Sequence, residues 1–183
     1  MATKESPPPC GGRERQRTDG ARSAPGGGRC MSQANIVSLA RSWIGTPYVH
    51  QASVKGAGCD CLGLLRGVWR ELGCEETQTP PPYSPDWAEA TAMETLRDAL
   101  ARHLNEIALE NIAPGDVVLF RMIAHGPAKH CGILGCATAS LLERGVADKD
   151  GALTLIHARQ NKRVSEEAFT PAWRRKLAFA FRI

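Results

Sequence analysis

From Ser32 onward the chain alternates between stretches of helical and strand-like hydrophobic spacing. Ile36, Leu39, Ala40, Trp43 and Ile44 recur on one helical face, with Ser32 placed to cap the helix and Gly45 to stop it. An irregular stretch begins at Thr46-Pro47-Tyr48. A second helix is predicted over residues 61–72, capped by Asp60 and stopped by Gly73; its face Cys61, Leu65, Val68 and Leu72 should be buried. Residues 74–86 carry Pro80, Pro81, Pro82 and Pro85 and read as a loop. A third helix is predicted over 87–104, with Met93, Leu96, Leu100 and Leu104 as its buried stripe. Short apolar, strand-like runs then follow at 117–120, 130–135, 153–157 and 177–181, the first after a Pro114-Gly115-Asp116 turn. Helices first and strands afterwards predict an α+β domain, helices packed on a mainly antiparallel sheet.

Composition adds a boundary. Residues 1–30 hold Pro7-Pro8-Pro9 and Gly26-Gly27-Gly28 and lack Ile, Leu, Val, Phe, Trp and Tyr. Nothing there offsets the entropy of ordering, so the expectation is a disordered tail followed by one domain over 31–183, with Met31 as the natural start. The tail has no apolar core of a secretory signal, and its acidic residues argue against a transit peptide. Six of the 23 basic and three of the 19 acidic residues lie in the tail, so the formal charge of +4 falls to +1 over the rest. That gives no electrostatic case for nucleic acid, and Arg174-Arg175-Lys176 reads as a solvated turn. No apolar run approaches the ~18 residues of a membrane span. Seven cysteines are an odd number for a disulfide framework, and a reduced, cytoplasmic site of synthesis is expected.

The chemistry concentrates in Gly58-Cys59-Asp60-Cys61-Leu62-Gly63. A cysteine in the first turn of a helix meets free backbone N–H groups and the positive helix end, both of which favour thiolate. An acyl-transfer nucleophile also needs a base, and the base needs an orienting group. His130 and His157, each in a predicted strand, supply that pair, with Gln160 and Asn161 as other candidates to orient the base. Cys59 precedes the helix and is expected to pack. Gly63 and Gly67, inside a helix and on one face, predict the close approach of another backbone. Cys74 and Cys136 read as structural, and His103 and His125 as surface residues. Cys59-x-Cys61 and Cys131-x₄-Cys136 lack paired zinc-ligand spacing, and His130 and Cys131 face opposite sides of a strand, so no metal and no cofactor are expected.

These residues resemble the NlpC/P60 peptidases, papain-like cysteine peptidases that cut the peptide stems of bacterial cell wall. The resemblance covers about residues 33–183 and rests on five blocks in order: Gly45-Thr46-Pro47-Tyr48, Asp60-Cys61-Leu62-Gly63, Pro114-Gly115-Asp116-Val117-Val118-Leu119-Phe120, His130-Cys131-Gly132-Ile133 and Ile156-His157-Ala158. His50-Gln51-Ala52-Ser53-Val54-Lys55-Gly56, Pro81-Pro82-Tyr83-Ser84-Pro85-Asp86-Trp87 and Pro171-Ala172-Trp173-Arg174-Arg175 are similar to a phage and gene-transfer-agent branch. The resemblance implies Cys61 as nucleophile, His130 as base and His157 as its orienting partner, with Tyr48, Asp60 and His50 binding substrate. It implies hydrolysis of the amide between D-glutamate and the diamino acid of a stem peptide. The implied partners are that stem peptide and phage-tail-like proteins, reached by lysis or carriage in a particle. The rival expectation is a non-catalytic tail or wall-binding subunit that keeps the fold. Two positions depart from the family. Leu62 stands where serine is frequent, which predicts weak dependence on a free amine in the substrate. Cys131 stands where an aliphatic residue is usual and is expected simply to pack.

Overall fold

The computed structural model describes residues 32–76, 80, 83, 93–138, 141 and 153–183. Residues 1–30, with Cys10 and Cys30, lie outside them, as does most of the proline-rich loop. Among the described residues the chain forms α1 (Gln33–Arg41), a small hairpin of β1 (Ser53–Val54) and β2 (Gly58–Cys59), α2 (Cys61–Glu71) and α3 (Thr95–Ala101). There follow β3 (Asn105–Ile107), β4 (Val117–Phe120), β5 (His130–Cys136), β6 (Leu153–His157), β7 (Ser165–Ala168), a one-turn α4 (Pro171–Arg174) and β8 (Leu177–Arg182). The sheet order is β3-β8-β4-β5-β6-β7, and every pairing within it is antiparallel. The expected α+β class and mainly antiparallel sheet are what the structure shows.

The four predicted strands are all present. Their side chains alternate between two cores. Val117, Leu119, Cys131, Ile133, Ile156 and Phe181 face α1 and α2, where they meet Ile36, Ala40, Leu64, Leu65 and Val68. Val118, Phe120, Leu134, Leu155 and Ala180 face the other way, onto Phe169 and Trp173. The sheet is therefore covered on both faces, which explains strands that read as continuous apolar runs.

The first helix ends at Arg41 and continues as turns to Gly45, and Ser32 makes no side-chain cap. The third helix is shorter than its pattern. Residues 84–92 lie outside the described set, and what is described runs only over Thr95–Ala101. Leu96, Leu100 and Leu104 are buried, but Met93 precedes the helix and is 59% exposed, so it does not belong to the stripe. The Pro114-Gly115-Asp116 turn forms as expected, with Gly115 at φ +94°. Asp116 is fully buried and accepts from Arg182 Nε at 2.9 Å, Arg182 Nη2 at 2.8 Å and the amide of Ala113 at 2.7 Å. The turn thus clamps the last strand to the centre of the sheet.

Candidate active site

Asp60 has an extended backbone, and its Oδ1 accepts the Gly63 amide at 2.7 Å, so α2 starts at Cys61 as the cap pattern requires. Gly63 has a steric reason. A Cβ there would stand 1.9 Å from the carbonyl oxygen of Ala52, which is the close backbone approach expected. At Gly67 the neighbour is instead a side chain, the Trp43 indole, 2.0 Å from where a Cβ would lie. The helix therefore sits tightly between the 46–60 segment and the sheet. Leu65, Val68 and Leu72 are buried beneath it, and Cys61 is half-buried at its sheet-facing start.

β5 delivers two groups to Cys61. His130, the first residue of the strand, lies near enough to Cys61 to lower its thiol pKa, and its ring also stacks on Trp173 at 5.8 Å and 27°. Cys131, fully buried on the helix face, lies against the same sulfur. This contact is the largest cause holding the Cys61 thiol well below the ordinary value. Burial works against it, and the hydrogen bond and charge of His130 add to it. The same contact, with burial, pushes Cys131 well above the ordinary value. The pair thus favours negative charge on Cys61 and the proton on Cys131. Cys131 does pack, as expected, but it also lies against the candidate nucleophile. Cys59 is fully buried in β2, and burial, then the charges of Asp60 and Cys61, push it up to about 12.

The second histidine meets the first. His130 Nε2 lies 2.9 Å from His157 Nδ1. Gly132 permits this convergence, since a Cβ there would come within 2.9 Å of Ile156 O and 3.1 Å of His157 Cβ. Gln160 and Asn161 are exposed on the turn after β6. The position beside His130 is therefore held by His157, whose pKa is lowered chiefly by burial. Beyond it stands Glu167 of β7, with Oε1 3.2 Å from His157 Nε2. Glu167 is held down to about 2, first by His157 and, after the opposing effect of burial, by Trp173 and Arg159. Nothing in a polar Ser165-Glu166-Glu167-Ala168 stretch marks it as a strand or as part of a site, and the sequence reading missed it.

The three other expected residues surround the start of α2. Tyr48 is pushed up to about 12 by burial and then by Cys61 and Asp60, so its hydroxyl stays a donor beside Cys61. Asp60 is 1% exposed, and besides Gly63 its carboxylate accepts from the Gln51 amide at 2.8 Å and from the Tyr83 hydroxyl. His50 is half-buried, with Nδ1 3.6 Å from Asp60 Oδ2 and Nε2 2.7 Å from the carbonyl of Tyr83. Asp60 and His50 thus belong to a network that holds the loop around the site. Tyr83 is a further member; it lies in the 81–87 block of the sequence, which carried no site role for it. His103 and His125 are exposed, as expected.

With this geometry in place, comparisons with known proteins converge. The NlpC/P60 family matches residues 45–182. Gamma-DL-glutamyl hydrolase of Bacillus subtilis (strain 168) is 31% identical over 99 residues, which is 54% of this chain but only 20% of that protein. An NlpC/P60 family protein from Bacillus cereus superposes with a TM-score of 0.53 at 18% identity, over 83% of this chain and 40% of that one. A lipoprotein-like NLP/P60 protein from Staphylococcus aureus gives 0.50 at 19%, over 82% and 41%. The chain matches less than half the length of each of these three relatives.

Proposed function

The chain belongs to the NlpC/P60 family, and on that premise we propose that it is a cysteine-type endopeptidase of peptidoglycan stem peptides. The bond cut is the amide between D-glutamate and the diamino acid. The observation that carries the reading is one cluster: Cys61 at a helix start, its thiol held below the ordinary value beside His130, which in turn meets His157 at 2.9 Å. The glutamyl assignment is supported by the name of the Bacillus subtilis relative.

In this reaction Cys61 Sγ attacks the scissile carbonyl. The oxyanion takes hydrogen bonds from the Cys61 amide and the Tyr48 hydroxyl. His130 gives its proton to the leaving amine, and the C–N bond breaks to leave a thioester. Water then loses a proton to His130 as it attacks the thioester, releasing the glutamyl carboxylate and restoring the thiolate–imidazolium pair. Asp60 is spent on Gly63, Gln51 and Tyr83, and Leu62 has no polar side-chain atom. Neither offers a seat for a substrate ammonium group, which supports action on intact wall rather than on amine-ended fragments.

Purified peptidoglycan and the purified protein test this. The products expected are a free D-glutamyl γ-carboxylate and a free diamino-acid amine. Cys61→Ala should lower their release by more than about 10³-fold, while Cys59→Ala retains it. Undiminished release by Cys61→Ala, or none by the unaltered protein, overturns the enzyme reading. Cleavage confined to amine-ended muropeptides overturns the preference for intact wall. The proposal extends to a role in a phage-like particle, supported by the 50–56, 81–87 and 171–175 blocks. The protein should then co-sediment with tail-like particles from producing cells, and its absence from them rejects that context.

A further inference from the structure

His157 is wholly buried, and a buried imidazole needs a partner at each ring nitrogen. Nδ1 has His130 Nε2. Nε2 has no well-aligned hydrogen-bond partner among the described residues, and the acceptor at ion-pair distance is Glu167 Oε1, 3.2 Å away. That carboxylate is itself fixed. Trp173 Nε1 donates to the same oxygen at 2.8 Å, and Arg159 Nη1 lies 3.7 Å from it. The Trp173 indole stacks on His130 and meets the His157 ring edge-on at 5.1 Å and 82°. One carboxylate and one indole, both from the segment after β6, thus enclose the histidine pair.

We propose that Glu167 is a positioning residue for the reaction of Cys61: it receives the Nε2–H of His157 and so fixes the tautomer whose bare Nδ1 accepts the Nε2–H of His130. The inference rests on the cysteine peptidase reading. With its Nε2–H committed to His157, His130 has Nδ1 left to exchange a proton with Cys61. In the opposite tautomer His157 would present Nδ1–H to His130. His130 would then have to accept at Nε2 and keep its proton on Nδ1, where it cannot take one from the thiol. The proton that moves is the one between Cys61 Sγ and His130 Nδ1; His157 and Glu167 keep their states. The titratable and charged groups facing this chain are Cys61 and, through it, Cys131 on the His130 side, and Arg159 on the Glu167 side, with Lys176 over the Trp173 ring.

The test pairs Glu167→Ala and Glu167→Gln with a nitrogen-15 NMR assignment of the His157 tautomer in the unaltered protein. The expected tautomer carries its proton on Nε2. Glu167→Ala should lower kcat on peptidoglycan by about 10²-fold with KM unchanged. Glu167→Gln should recover most of kcat, because an amide oxygen still accepts Nε2–H. An Nδ1–H tautomer in the unaltered protein overturns the proposal. So does a folded Glu167→Ala protein whose kcat is unchanged, or whose loss lies in KM alone. If Glu167→Ala fails to fold, the tautomer and the kcat of Glu167→Gln decide. The tautomer needs no substrate, so a failure of the peptidoglycan assay itself would count against the proposed function and leave this measurement standing.

Discussion

His130 and Cys131 are adjacent in sequence and reach the same sulfur from opposite sides of β5. In the proposed reaction His130 supplies the proton-transfer group, and the Cys131 contact favours the charged form of Cys61. Losing that contact favours the thiol, so the sign of the effect is fixed. Cys131→Val should move the pH midpoint of Cys61 alkylation by iodoacetamide upward, and the acid limb of the rate profile with it. An unmoved midpoint would show that Cys131 only packs. Cys61 was legible at this scale because a helix-start cysteine after a capping aspartate is a local pattern. The Cys131 contact was not, because alternation along a strand tells which side a residue faces but not what the other element brings there.

At the scale of elements, the start of α2 depends on how closely the 46–60 segment lies against it. Gly63 is where they touch, through Ala52 O, and Ser53 Oγ donates to Gly63 O at 2.6 Å. Gly63→Ala must displace a backbone carbonyl rather than a movable side-chain end. We expect a loss of about 1–3 kcal/mol in denaturant unfolding, with activity falling more than stability because the Asp60 cap shifts with the loop. A variant as stable and active as the parent would refute this. The glycines announced the contact in the sequence, since they are unfavourable in a helix without a packing reason. β7 gave no such signal. It is an edge strand whose glutamates point inward on both faces. Glu166 pairs with Arg41 Nε at 2.9 Å and Nη2 at 2.7 Å, and Glu167 faces His157 and Trp173. Charges turned inward suit an edge strand but disguise it as a loop. α4 is one turn long, too short to show helical spacing.

For the whole molecule, the buried histidine makes stability depend on pH. His157 has a lowered folded-state pKa, so the unfolded chain binds its proton more readily. Its contribution is fully present above the unfolded value of about 6.5 and declines as pH falls below it. Glu167, held down to about 2, acts in the same direction lower in the scale. Its contribution is present above about 4.5 and is lost as pH falls towards the folded value. Thermal unfolding from pH 8 to pH 3 should therefore show a midpoint that begins to fall near pH 6.5. His157→Asn should remove that first decline and shrink the later one, because His157 is the largest cause of the Glu167 shift. An identical profile in the variant would place the acid sensitivity elsewhere.

Spacing and local pattern already specify the fold class, four central strands and the second helix with its cap, and they single out the two histidines found near Cys61. Each of these follows from short-range spacing, from a turn or cap residue, or from motifs in a familiar order. The folded arrangement alone places His157 rather than Gln160 or Asn161 beside His130, joins Asp60 to Gly63, Gln51 and Tyr83, and gathers Cys131, Tyr83, Glu167 and Trp173 around the centre. Those facts depend on which strand lies beside which and how each ring turns. Burial then sets the charge states, raising Cys59 and lowering His157, and no residue's neighbours in the chain carry that information.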